Sequence, residues 1–241
     1  MVRVKAVQKT KNRPGRPRKQ DLALRDATKT IIMQSALELF AANGFDGTST
    51  VAVARRAGLA QSVLHYHFTS KELLWKATIK DLFKRINEKY PLTINDSEDA
   101  CIKTELKRVI RRHMEASSHF PEMARIVIIE GSFETERLQW LTETYYRGTY
   151  KFLERVLNRA REAGLIGNAP NFLLAQMIYA AGSVLFSVSP MIRTTHGIDI
   201  SNPMQRELAV ETGLEVILNG VLLSRPDDPS LMVQARPSRR P

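Results

Sequence analysis

The stretch STVAVARRAGLAQSVLHYHF, Ser49 to Phe68, decides the fold. Thr48 and Ser49 are both side chains able to cap a short helix running from Thr50 to Ala57. Gly58 breaks that helix, and Gln61 to His67 forms a second. Two short helices joined by a turn of about three residues containing glycine make a helix-turn-helix frame. Ala54 and Leu64 face inward and hold the pair together. The first helix then lies across a phosphate backbone and the second enters the major groove, whose width admits one α-helix. Gln61, Ser62, Val63, His65 and Tyr66 are left free to reach DNA. Gln61 can pair bidentately with adenine, and Val63 can touch a thymine methyl. Thr48, Thr50, His65 and Tyr66 can donate to phosphates or base edges. Lys71 sets a cation beside the free N–H groups opening the next helix, a phosphate site. By spacing alone, an ordinary helical hairpin reads the same way.

Outward from this frame the chain continues as helix after helix. Ile32, Ala36, Leu39 and Phe40 form one apolar stripe, stopped by Gly44. Ser70-Lys71-Glu72 opens a helix with Trp75, Ile79, Leu82 and Ile86 on one face, ending before Pro91. Ile102, Leu106, Val109 and Ile110 define another, and Pro121 begins the next. A long helix lined by Leu138, Leu141, Tyr145, Phe152 and Val156 stops at Gly164 with Leu165 beyond it, a Schellman-like ending. Phe172 to Phe186 follows Pro170, and Asn202-Pro203 caps a last helix carrying Val210, Leu214, Ile217, Leu218 and Val221. No strand alternation and no internal repeat is visible. The expected fold is all-α with about nine helices: a three-helix N-terminal domain, then a helical ligand-binding and dimerisation domain.

Several segments match a known pattern in order and without gaps. Ser35-Ala36-Leu37-Glu38-Leu39-Phe40, Asn43-Gly44-Phe45-Asp46, Thr48-Ser49, Ala57-Gly58-Leu59 and His67-Phe68-Thr69-Ser70-Lys71-Glu72-Leu73-Leu74 resemble the N-terminal domain of TetR-type transcriptional regulators. The resemblance covers about 26–86, and the helical remainder is similar to that family's regulatory domain by pattern only. It implies a homodimeric DNA-binding protein, usually a repressor released by a small ligand. Two positions depart from the pattern. Ala60 stands where the recognition helix commonly has a capping serine or threonine, a loss of about 1 kcal/mol that leaves the helix leaning on tertiary packing. His65 stands at a usual tyrosine position, with Tyr66 adjacent, which makes a pH-sensitive DNA affinity an expectation.

The chain has 241 residues, 43% apolar and 25% charged, enough to bury a core without disulfides or a metal. Its single cysteine, Cys101, excludes an internal disulfide framework and fits a reducing cytoplasm. No apolar core follows the N-terminal charges, so no secretory signal is expected. The longest mostly apolar run, Met177 to Val188, is shorter than the roughly 20 residues a bilayer demands. A cytoplasmic protein without a membrane partner is the resulting expectation. The net charge of +11 is concentrated: residues 1–20 hold eight basic side chains and no acid. Such an arm suits a polyanion, nucleic acid or an anionic membrane surface, or serves as a solubilising tail. Arg13-Pro14-Gly15-Arg16-Pro17-Arg18-Lys19 resembles an AT-hook core, with Arg16 and Arg18 reaching a narrow minor groove. The domain expectation is a basic disordered arm over 1–20, a DNA-binding domain over 26–86 with its motif at about 49–68, a regulatory domain over 87–223, and a disordered tail over 224–241.

The remaining signals concern ligands and assembly. His65 and His67 point to different faces of one helix, so no metal and no cofactor is expected. His113 lies on an apolar stripe, as a hydrogen-bonded core histidine or a ligand contact. Glu130, on an otherwise apolar face, is expected to pair with an arginine such as Arg112 or Arg125, or else to line a pocket. The family resemblance implies a cavity among the central helices, where His113, Phe133, Trp140, Tyr145 and Met177 are the ligand candidates. A mainly apolar or aromatic effector suits their apolar walls and polar tips. The last two helices are candidates for a dimeric four-helix bundle through Gly182, Phe186, Val210, Leu214, Ile217 and Val221, or for an internal helix pair. A two-fold dimer implies a pseudo-palindromic double-stranded operator. Competing readings are a DNA-binding regulator controlled by a protein partner or by nothing, and an all-helical enzyme. The latter has no glycine-rich phosphate loop, nucleophile elbow or HExxH motif behind it.

Overall fold

A computed structural model describes residues 19–91 and 101–222 of the chain. The expected arm and tail, with Arg16 and Arg18, lie outside the described residues. The described residues form helices α1 (Lys19–Asn43), α2 (Thr50–Arg56), α3 (Gln61–His67), α4 (Lys71–Lys89), α5 (Ile102–His119), α6 (Pro121–Gly131), α7 (Glu136–Leu141), α8 (Arg147–Glu162), α9 (Asn171–Ser187), α10 (Ser189–His196) and α11 (Pro203–Val221). A π-helical turn, Thr142–Tyr146, joins α7 to α8 in one continuous run. Among the described residues, the nearest thing to a strand is a single bridge between Ile166 and Leu222. The all-α expectation holds, with one helix more than the sequence pattern gives. That helix, α10, follows a 60° bend after α9 and begins with Pro190 in its first turn. Its eight residues are too few to show periodicity, so the pattern reading passed over it.

Two apolar clusters organise the molecule. The first buries the stripe of α1 (Ile32, Ala36, Phe40) against Trp75, Ile79, Leu82 and Ile86 of α4. Val53 and Ala54 of α2 and Leu64 of α3 complete it. Met123 and Ile126 of α6 and Leu141 of α7 belong to the same cluster, so the N-terminal helices are packed onto α6 and α7. The second cluster joins α5, α8, α9 and α11 through Leu106, Ile110, Met114, Leu153, Leu157 and Leu214. Within it the Arg159 guanidinium donates to the buried Glu105 carboxylate at 2.6 Å, a pair half open to solvent on the arginine side.

Local chemistry fixes the ends of these elements. Ser49, not Thr48, caps α2 by accepting from the Ala52 N–H at 3.1 Å. Ser70 caps α4 through the Leu73 N–H. Asn202 caps α11 through the Met204 N–H at 3.0 Å, with Pro203 in the first turn. Gly44 and Gly58 end α1 and α2 at φ of 69° and 68°, the left-handed region that other residues enter at a cost. Among the described residues, no single helix is long and apolar enough to cross a membrane.

Candidate DNA-binding face and central cavity

Helix α3 has one inward residue and a row of outward ones. Leu64 is completely buried, and that burial contributes about 2 kcal/mol to holding the helix down. Ala60 precedes α3 with no side-chain cap, so the helix does rest on packing by Leu64 and the buried Phe68. Gln61, Ser62, His65 and Tyr66 are exposed and Val63 is half-buried. The Gln61 and His65 side chains meet at 3.2 Å, one turn apart on the same face. Thr50, the first residue of α2, is partly exposed.

The sequence reading missed the basic edge of this face. The Arg25 guanidinium sits 5.1 Å from the Tyr66 ring centre, and Lys29 sits 5.8 Å from that of Phe68. Partial burial, then Arg25 and Lys29, push the His67 pKa below its ordinary value, so His67 is neutral at pH 7. The signal was present as two cations four apart on exposed positions of α1.

Two expected DNA contacts are otherwise employed. Thr48 is buried, and its hydroxyl lies 2.8 Å from the Gly44 carbonyl and 3.1 Å from that of Leu39. It closes the α1–α2 corner and presents nothing to a duplex. The Lys71 ammonium donates to the carbonyls of Phe45 and Thr48 at 3.0 and 3.2 Å and lies over the Phe45 ring. The carbonyls of that corner take two of its three N–H donors. Arg137 covers the same ring at 4.0 Å and donates to the buried Glu130 carboxylate at 3.1 Å. Glu130 therefore pairs with Arg137. Arg112 and Arg125, the expected partners, instead donate to the carbonyls of Tyr90 and Ser187.

Between α4, α5, α6, α8 and α9 lies a cavity of about 300 Å³. Phe83 stacks on Tyr145 at 4.0 Å, and Tyr146, Tyr150 and Tyr179 continue the aromatic wall. The π-helical turn places consecutive Tyr145 and Tyr146 on this wall, and such turns are frequent at functional sites. Burial drives the Tyr146 and Tyr179 pKa values far up, so both remain neutral hydroxyls. His113 lies within hydrogen-bond distance of the Tyr179 carbonyl at 3.1 Å and also lines the cavity. Its pKa is lowered to about 4, chiefly by burial, so the imidazole is neutral and bonds through its ring N–H. His113 is thus the hydrogen-bonded core histidine of the first reading, placed at the edge of the cavity.

The other ligand candidates fall elsewhere. Phe133 is 67% exposed in the loop between α6 and α7. Trp140 packs edge-on against Trp75 at 5.6 Å in the first core. Met177 is 65% exposed on the outer side of α9. The dimer candidates are also corrected. Phe186, Val210, Leu214 and Ile217 are buried in the chain's own second core, and Val221 packs against it. Gly182 is buried where a Cβ would stand 2.7 Å from the His113 ring, so its small size serves the approach of α5 to α9. The helical period was read correctly, but the face it marks is internal. Phe172, Leu173, Met177, Leu208 and Val216 form the exposed apolar sides of α9 and α11.

A pair of short helices with an exposed polar row therefore stands on a helical body that encloses a tyrosine-lined cavity. Residues 32–78 match the family described as bacterial regulatory proteins, tetR family. The chain is 32% identical over 104 residues to the HTH-type transcriptional regulator RutR of Escherichia coli strain K12, covering 43% of this chain and 48% of RutR. It is 30% identical over 69 residues to IcaR of Staphylococcus aureus strain Newman, a negative transcriptional regulator of the biofilm operon icaADBC, covering 29% of this chain and 37% of IcaR. The chain thus spans half or less of the length of these curated relatives. Its fold is similar to the fatty acid degradation regulator FadR of Bacillus halodurans (TM-score 0.57, 18% identity, 80% of this chain and 95% of that one). It is likewise similar to FadR of Bacillus subtilis in complex with stearoyl-CoA (TM-score 0.52, 20% identity, 80% and 98%). The match to the tetR family thus lies within 32–78, and beyond it the likeness to the two FadR structures is one of fold.

Proposed function

We propose that the protein is a homodimeric, sequence-specific DNA-binding regulator, a repressor released from its operator by a small, mainly apolar or aromatic ligand. The observation that carries this reading is the outward row Gln61, Ser62, His65 and Tyr66 on a helix clamped from behind by Leu64. A rigid helix with polar tips and a basic edge at Arg25 and Lys29 has what groove reading requires. Repression follows the curated relative whose name makes it a negative transcriptional regulator. Release by a ligand accords with the cavity and with the relative whose fold holds an acyl-CoA.

Dimerisation uses the outer faces of α9 and α11, where exposed Phe172, Met177, Leu208 and Val216 supply the apolar area of a four-helix bundle. The cavity wall contributed by α6 belongs to the helix whose far end, through Glu130 and Arg137, grips the Phe45 corner of the reading head. A ligand that prefers one setting of α6 shifts the population toward a different separation of the two α3 helices. Selection of bound sequences from random duplexes with purified protein tests this function. The expected product is a two-fold symmetric site with half-sites about one helical turn, or a multiple, apart. Absence of any enriched sequence would contradict the proposal.

A further inference from the structure

The charge of the cavity specifies more about its ligand than the aromatic wall does. Among the described residues, the wall carries one formally charged side chain, Arg112, and no Asp or Glu. The Arg112 Nε–H donates to the Tyr90 carbonyl at 2.7 Å, and a terminal nitrogen donates to Asn87 Oδ1 at 3.3 Å. A guanidinium has five N–H donors, so both bonds together leave part of the fork unused. Among the described residues, no carboxylate lies within 4.0 Å of it.

Desolvating a cation without a counter-charge is costly, and an anionic ligand removes that cost on arrival. Neighbouring groups complete a receptor for such an anion. Tyr179 is a neutral hydroxyl on the same wall, and the Arg112 charge acts on both it and His113. His113 is committed to the Tyr179 carbonyl and Tyr150 donates to Gln176 at 2.6 Å, so neither competes for the anion. Arg112 also lines a second hollow of about 210 Å³, where Lys89, Arg108 and Arg111 outnumber the one carboxylate, Glu115. Its location there favours a head group at that end of the cavity and an apolar body toward Phe83 and Tyr145.

Size narrows the class further. The cavity's 300 Å³ is about twice the roughly 150 Å³ void known to hold benzene. We propose that the effector is a monocarboxylate with an aromatic or aliphatic body of about two rings' bulk, its carboxylate paired with the Arg112 guanidinium and the Tyr179 hydroxyl. A planar fork matches a carboxylate better than it matches any neutral polar group. This inference rests on the ligand-responsive reading above and names the chemistry of that ligand.

The test is calorimetric titration of the full chain at pH 7.5 with 1-naphthaleneacetate and decanoate, each beside its neutral primary amide. The acids are expected to bind about tenfold or more tighter than the amides, the range of a charge-assisted pair. Arg112→Gln is expected to erase that preference, and Tyr179→Phe to weaken acid binding more than amide binding and so reduce it. Because Arg112 also ties α5 to the end of α4, its variant is checked for folding by circular dichroism. If it does not fold, the acid-to-amide ratio in the unaltered chain and in Tyr179→Phe decides. Amides binding as tightly as acids, or a preference that survives in folded Arg112→Gln, overturns the carboxylate assignment and leaves the effector reading intact. Binding by none of the four probes contradicts the effector reading itself, and the carboxylate assignment goes with it.

Discussion

Gly182→Ala tests whether the closeness of α5 and α9 is an internal necessity. The added Cβ would lie 2.7 Å from the His113 ring carbon Cδ2 and 3.3 Å from Met114 Cγ, where 3.4 Å begins ordinary contact. The ring must therefore retreat by about 0.7 Å, yet it is held at 3.1 Å to the Tyr179 carbonyl and packed edge-on to the Tyr179 ring. Overpacking of this kind costs about 1–3 kcal/mol. Loss or stretching of the histidine bond adds about 1 kcal/mol. Alanine returns about 1 kcal/mol through its better helix propensity. The net expectation is a loss of about 1–3 kcal/mol, which for a chain of this length lowers Tm by roughly 2–12 °C. Gly213→Ala is the control, because its new methyl meets the movable end of Met114 and not a ring held on two sides. Differential scanning calorimetry, with light scattering for assembly state, reads both variants. A Gly182→Ala protein as stable as the original but monomeric would refute the internal-packing argument and restore Gly182 to a subunit interface.

Other expectations follow from single contacts. Thr48→Val keeps the shape of a buried side chain but leaves the Gly44 and Leu39 carbonyls without their hydroxyl. It should cost about 1–2 kcal/mol in urea unfolding and leave the DNA affinity of the folded fraction unchanged. His113, with its pKa lowered to about 4 in the folded chain and ordinary when unfolded, binds fewer protons in the native state. Stability is therefore unaffected above about pH 6.5 and falls as pH drops toward 4, by up to about 3 kcal/mol. Unfolding curves for the unaltered chain and His113→Gln between those limits should diverge in slope, and parallel curves would contradict the buried neutral imidazole. Leu208→Lys places a charge on the outer face of α11 and should yield a folded monomer by light scattering. A dimer unaffected by it would move the interface elsewhere.

The fold was legible where a residue's role depends on its neighbours in the chain. Gly44, Gly58 and Asn202 announce helix ends through local backbone chemistry, and the structure shows each in that role. The stripe of α4 was visible as period alone, and its residues are buried as read. What periodicity cannot supply is the identity of the opposing surface. Val210, Leu214 and Ile217 mark one apolar side of α11, but only tertiary packing shows that their own chain covers it. The same gap explains Phe133 and Trp140: aromatic content flagged them, while burial separated loop from core. The two carbonyls that hold Lys71 were not legible, because a surface helix start and a carbonyl-lined corner present identical sequence. Within the cavity, Tyr145 was found by residue type, whereas Arg112 was weighed only as a partner for Glu130. The π-helical turn that sets Tyr145 and Tyr146 on the wall has no counterpart in a 3.6-residue reading.

The groove-reading role of α3 is tested most directly by one comparison on its exposed face. The affinity of Gln61→Ala for the selected operator is measured beside its affinity for random duplex of equal length, at one salt concentration. Loss of one bidentate base contact should weaken operator binding about tenfold or more and leave random duplex almost untouched. Equal loss on both duplexes, or no loss on either, would contradict a recognition helix at Gln61 to His67.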